Sequence, residues 1–317
     1  MNMKMRSLRY FLATAGLANS LLASTCTAIA EEVPFELGNP AQIGPPSFTL
    51  AFSLLNSHIM LDGTVNGKKG RFLFDTGTEF AFFLNNETLP LAKEEFVAKG
   101  HAASGQAMVI YRQQAPIAEL TIGRQLRFTD LRGQLHTGWG FLQEAYGMSS
   151  FFGSIGHAFS RQYQFTIDYD QQTIAFQSLD QPAHLTANEV IARFNFTPTG
   201  VDGKIPEVNL QIGNHDITGF FDTGNPGTLE LTEATRDFLE KEGLLSIASS
   251  DYAYGNEAPR QYANLNGLRA GQVPLADLRN LTFRTGPQNR LGLGYQFLKH
   301  YISVWHAKNR TITLLKR

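Results

Sequence analysis

The chain has little of several things that would define a function by themselves. Its 317 residues include one cysteine and two tryptophans, and Lys plus Arg (27) nearly balance Asp plus Glu (28). A single thiol excludes an internal disulfide and a multi-thiolate metal site. Balanced charge leaves no basic excess to neutralise phosphates, so no nucleic-acid partner is expected. No His-Glu-x-x-His and no Gly-x-Ser-x-Gly occurs, and the eight histidines have no ligand spacing, which removes the anchors of a zinc site and of a serine triad. Gly292-Leu293-Gly294 has no third glycine and no acidic residue after it to bind a ribose. Neither metal nor cofactor is expected. No apolar run is long and unbroken enough for a stable membrane span.

Residues 1–30 have the order of an export signal. Lys4, Arg6 and Arg9 precede an apolar stretch from Phe11 to Ala23, interrupted by Gly16 and Asn19, and Ala28-Ile29-Ala30 stands just before Glu31-Glu32. Cys26 follows Ala23-Ser24-Thr25, a poor lipidation sequence because Leu is missing three residues before the cysteine. Cleavage after Ala30 would remove three positive charges and the only thiol. An exported chain with no disulfide must rely on its core, and 43% apolar residues are enough for one. A periplasmic or extracellular location in a bacterial envelope is expected. Asn86, Asn195, Asn280 and Asn309 each begin an Asn-x-Thr triplet, which matters only where the export route glycosylates.

The rest reads as mainly β. Short runs such as Phe72-Leu73-Phe74, Leu120-Thr121-Ile122, Phe165-Thr166-Ile167 and Thr311 to Leu314 are strands bounded by turn residues. Two segments read as helices: Glu87 to Ala98, and Thr232 to Glu242 with Thr232 as N-cap. An internal repeat is more informative. Phe74-Asp75-Thr76-Gly77 recurs as Phe221-Asp222-Thr223-Gly224, and Leu120 to Gly123 with Asp130-Leu131-Arg132 recurs as Leu268 to Gly271 with Asp277-Leu278-Arg279. Ile155-Gly156 with Phe159 matches Leu293-Gly294 with Phe297, and each copy continues through Tyr163 or Tyr301 into a strand ending at Thr173-Ile174 or Thr311-Ile312. The expected division is a signal over 1–30, a first lobe over 31–185 and a second over 186–317, with Pro182 in the polar boundary.

Two similar lobes packed about a pseudo-twofold axis bring equivalent positions face to face. Asp75 and Asp222 would then form a pair of carboxyls that cannot both ionise at close range. One takes a proton from a water while the other donates to a substrate carbonyl, which is acid–base hydrolysis. Thr76 and Thr223 have hydroxyls suited to bonding across the interface, and Gly77 and Gly224 leave room for backbone near the carboxyls.

With those motifs in view, the sequence resembles the aspartic peptidases, the pepsin-like bilobal enzymes and their half-sized retropepsin relatives, over essentially all of residues 31–317. The resemblance implies an all-β bilobal acid-protease fold: two similar β-rich lobes related by a pseudo-twofold axis, with short helices, in the manner of bacterial single-chain members. It implies Asp75 and Asp222 as the catalytic dyad and Thr76 and Thr223 as interlocking threonines. Ser154-Ile155-Gly156, imperfect because Ser154 is polar, and Gly292-Leu293-Gly294 would be its paired apolar-Gly elements. Thr78 fits the position whose hydroxyl bonds the outer carboxylate oxygen; Asn225 departs from it, though its amide is able to donate a similar bond. The flap region would fall around Ser104, Gly105 and Tyr111 in the first half and Tyr254 and Gly255 in the second. Phe80, Phe82, Phe83 and Phe220 near the motifs suggest apolar subsites or core. The expectation is a monomeric endopeptidase taking an extended peptide or protein substrate; the alternative is a non-catalytic peptide-binding or scaffold module on the same fold. A periplasmic small-molecule binding protein is disfavoured by the missing strand–helix alternation.

Overall fold

The computed structural model describes residues 26–27, 46–91, 95–102, 106–140, 150–181, 189–199, 205–249 and 261–317. Of residues 1–30 only Cys26–Thr27 is described, as a two-residue strand against His101 and Ala102.

The molecule has two β lobes joined by a third sheet. In the first lobe, neighbouring strands run Glu95–Ala102, Ala107–Arg112, Leu135–Thr137, Phe82–Asn85, Phe151–Ile155, Lys68–Phe74, His58–Val65, Ile117–Ile122, Leu126–Leu131. In the second they run Leu245–Ser249, Gln261–Leu265, Leu278–Thr285, Thr228–Leu231, Arg290–Leu293, His215–Phe221, Ile205–Ile212, Leu268–Ala270, Val273–Pro274. The two orders correspond strand for strand. Ser53–Leu55 and Thr197–Thr199 add a matching hairpin arm to each, so among the described strands of the lobe sheets only Cys26–Thr27 lacks a counterpart.

The pairing directions match as well. Lys68–Phe74 lies parallel to Phe151–Ile155 with Phe74 opposite Ile155, and His215–Phe221 lies parallel to Arg290–Leu293 with Phe221 opposite Leu293. Each repeat therefore ends its motif strand beside its apolar-Gly element. Past those glycines the chain makes one helical turn, His157–Ser160 or Tyr295–Leu298.

Six antiparallel strands, three from each half, form the joining sheet: Val190–Asn195, Thr311–Leu315, Ile302–His306, Tyr163–Asp168, Thr173–Ser178 and Ser47–Ala51. The halves meet where Phe165 pairs with Trp305. One apolar core runs through both lobes and this sheet. At its centre Phe74 packs edge-on against Phe165 (5.8 Å), Phe165 stacks on Trp305 (5.3 Å), and Trp305 meets Phe221 (5.6 Å). An aromatic row thus lies beneath both motif loops. Strand alternation places Phe72 and Phe74 in this core, while Leu73 faces a second cluster with Met60, Phe83, Trp139 and Phe151.

One expected helix is present, and among the described residues the other is not. Thr232 caps Glu233–Lys241, its hydroxyl accepting from Thr235 N at 3.3 Å. The described residues of the segment Glu87 to Ala98, 87–91 and 95–98, are not helical. Pro90 interrupts it, and Glu95–Ala102 forms a hairpin with Ala107–Arg112, where cross-strand pairing overrides local propensity. Phe80, Phe82 and Phe83 are buried in core, since Phe82–Asn85 has a neighbour strand on each side; Phe220 is half-buried beneath the Arg290 guanidinium at 5.0 Å. No helix among the described residues is long and apolar enough to cross a membrane.

Candidate active site

Asp75 and Asp222 follow directly from the ends of their strands, and the joining sheet brings the two loops together. The contact is reciprocal: Thr76 N donates to Thr223 Oγ1 at 3.0 Å, and Thr223 N donates to Thr76 Oγ1 at 3.0 Å. The Thr223 hydroxyl also donates to Phe74 O at 2.9 Å. These bonds are buried and cross the pseudo-twofold axis, so they hold the carboxyls in fixed relation.

Each aspartate accepts from its own glycine, Asp75 Oδ1 from Gly77 N at 2.8 Å and Asp222 Oδ1 from Gly224 N at 2.9 Å. Gly224 is required by close approach: a Cβ there would overlap the Asp75 carboxyl carbon and oxygens. Gly294 is likewise pressed on the backbone carbonyl of Asn225, which clamps the second loop. Both aspartates are fully buried, and their carboxyls hydrogen-bond to each other.

Symmetry ends at the next shell. Asp75 receives three donors: Gly77 N, Thr78 N at 3.2 Å, and the Thr78 hydroxyl on Oδ2 at 2.7 Å. Thr78 is itself oriented by the Ser154 hydroxyl, which donates to it at 3.0 Å. Ser154, a blemish in the apolar pattern, is part of the site. Asn225 does not play the part expected of it. Its amide donates to Thr228 Oγ1 at 3.1 Å and its oxygen accepts from Gly227 N at 2.8 Å, so Asp222 gains nothing from it. Asp222 Oδ2 meets no N–H or O–H of the described chain.

The electrostatics follow. Burial pushes the Asp75 carboxyl up to about 6, against the pull of its Thr78, Asp222 and Gly77 hydrogen bonds. Asp222 is raised well above the ordinary carboxylate range by burial first and by the Asp75 charge second. The pair therefore titrates as a unit, and Asp222, the partner with fewer donors, is the one that burial and the Asp75 charge turn toward the protonated form.

Two further residues had no sequence signal beyond being polar and isolated. His58 is buried; its Nδ1 lies 2.9 Å from Asn56 O and its Nε2 3.1 Å from Gly224 O, across the lobe junction. Tyr169 has a buried hydroxyl with no hydrogen-bond partner among the described residues, and packs between Phe52 and Tyr295 at 5.7 and 5.4 Å.

Of the flap residues, Ser104, Gly105, Tyr254 and Gly255 lie outside the described residues. Tyr111 is in the hairpin strand Ala107–Arg112 with its ring stacked on His136 at 5.8 Å. That is a strand-aromatic contact. Among the described residues no group of three or more His, Cys, Asp or Glu gathers in a metal-holding cluster.

No family model matches the chain, and no curated protein does. Among solved structures, the chain is similar to basic 7S globulin from soybean, at 13% identity and a TM-score of 0.50 over 85% of this chain and 94% of that one. It is also similar to conglutin gamma, a basic 7S globulin from lupine seeds, at 10% identity and a TM-score of 0.48 over 86% and 95%. Such likeness is of fold. It corrects the family reading from the sequence: no family model matches the bacterial single-chain peptidase expected, and the solved structure similar in fold is a soybean globulin. The physical reason is that a duplicated β lobe with Asp-Thr-Gly turns specifies packing at the lobe junction, and packing alone does not specify turnover.

Proposed function

We propose that the protein hydrolyses peptide bonds by a paired-carboxylate mechanism, the reading supported by one observation above all. Two buried carboxyls meet across the lobe junction, Asp75 with three donors and Asp222 with fewer. Asp75 is the base and Asp222 the acid. A water oxygen attacks the peptide carbonyl carbon as its proton passes to the Asp75 carboxylate, while Asp222 donates its proton to the carbonyl oxygen. Asp75 then delivers its proton to the leaving nitrogen, the tetrahedral centre collapses, and the Asp222 proton returns as the carbonyl re-forms. No covalent enzyme intermediate is needed. The substrate class is an extended peptide lying along the junction, its backbone paired with strand edges. The proposal places the chain outside the cytoplasm, on the charge, apolar and small-residue order of residues 1–30.

A second reading, a peptide-binding module without turnover, is favoured by the complete burial of both carboxyls and by a fold shared with a soybean globulin. Incubation with a peptide library from pH 3 to 7, beside Asp75→Asn, separates the two. Hydrolysis predicts cleavage by the native protein and its loss in the variant. Equal peptide binding by both proteins with no cleavage by either establishes the module.

A further inference from the structure

We propose that His58 is a positioning residue for the carboxyl pair: from the first lobe, its ring holds the Gly224 peptide and so sets the orientation in which Asp222 meets Asp75. This rests on the paired-carboxylate reading for its consequence in turnover, but not for its geometry.

His58 opens the strand His58–Val65 immediately after a hairpin turn whose central residues, Asn56 and Ser57, have φ of 47° and 70°. Both lie in the left-handed region, as a tight two-residue hairpin demands, and serine adopts it at a cost. That turn carries Asn56 O back over the imidazole, where it lies 2.9 Å from Nδ1. With Nδ1 lying against its own hairpin, Nε2 is aimed at Gly224 O, 3.1 Å away and 166 residues distant in sequence. A neutral ring, which burial favours, carries one N–H for these two carbonyls, and the proposal places it on Nε2, donating to Gly224 O.

What Gly224 does explains why this matters. Its N–H donates to Asp222 Oδ1 at 2.9 Å, its α-carbon lies against the Asp75 carboxyl, and its carbonyl begins the peptide leading to Asn225, whose side chain has turned away from Asp222. The second loop thus lacks the hydroxyl brace that Thr78 gives the first. His58 supplies a brace from the opposite lobe instead.

The fold does not require a histidine there. Met60 pairs with Leu73 as Glu207 pairs with Phe220, so the repeat places Ile205 at the position equivalent to His58. The second lobe builds the same hairpin pair with an apolar residue. A buried imidazole in one copy alone, engaged with the other copy's motif loop, is a departure from symmetry located at the site.

The test uses the full chain and three proteins: native, His58→Gln, which keeps an N–H near Nε2, and His58→Leu, which fills the space without a donor. The carboxyl titration of Asp75 and Asp222, read by ¹³C NMR of aspartate-labelled protein, is expected to shift in His58→Leu and to return toward native in His58→Gln. On a peptide that the native protein cleaves, kcat should fall roughly 10- to 100-fold in His58→Leu with KM changed by less than about threefold, and recover in His58→Gln. An unmoved titration in folded His58→Leu, or equal effects of both substitutions, overturns the proposal. If the native protein cleaves nothing, the hydrolytic reading fails and the titration alone decides the role of His58. Should His58→Leu not fold, ring ¹⁵N shifts of the native protein decide: a protonated Nε2 supports the contact, and an unprotonated Nε2 refutes it.

Discussion

The carboxyl pair makes folding depend on pH in a direction opposite to that of ordinary surface carboxylates, and its removal should abolish the effect. The perturbation is the isosteric double substitution Asp75→Asn with Asp222→Asn. Asp75 rises from an ordinary 3.8 to about 6 in the folded protein because it is buried. The folded state therefore keeps a proton that the unfolded chain releases. Below pH 3.8 both states are protonated and the pair costs nothing; as pH rises from there through about 6 the folded state loses stability relative to the unfolded one. The difference corresponds to about 3 kcal/mol at 1.36 kcal/mol per pH unit. For a chain of this length that is roughly 6–12 °C in Tm. Asp222 is held higher still and adds its share only at more alkaline pH. The assay is urea or thermal unfolding of both proteins at pH 4, 5, 6 and 7, scored as the difference between them, which cancels every other titrating group. The native protein should lose about 3 kcal/mol relative to the variant between pH 4 and 7. Parallel curves, or a native protein that gains on the variant as pH rises, would refute the claim that these carboxyls face each other in a dry junction.

Other expectations are simpler. Thr223→Ala removes the acceptor of Thr76 N and the donor to Phe74 O, leaving buried groups unpaired; a loss of about 2–4 kcal/mol in denaturant unfolding is expected. Ser154→Ala frees the Thr78 hydroxyl from its orienting bond, so Asp75 is less well held as an anion and the acidic limb of a pH–rate profile should move to higher pH. Thr232→Ala should cost about 1 kcal/mol through loss of the N-cap, with the pH dependence of the pair unchanged.

The strands and the duplicated motifs were legible in the chain because they depend on local rules. An apolar run closed by Asp-Thr-Gly makes a strand and a turn wherever it is placed, and Thr232 caps its helix through a bond to a neighbour three residues on. Glu87 to Ala98 misled for the complementary reason: its helix-like composition yields to a hairpin partner, Ala107–Arg112, that no local pattern announces.

Sequence by itself determined that two equivalent aspartates exist and that two β-rich halves carry them, since repetition of landmarks in the same order survives without coordinates. Tertiary structure alone decided that the carboxyls meet, which one has more donors, and that Ser154 and His58 brace the loops. Those properties come from burial and from donors supplied by residues up to 166 positions away, and neither dielectric nor donor count is a property of a tripeptide.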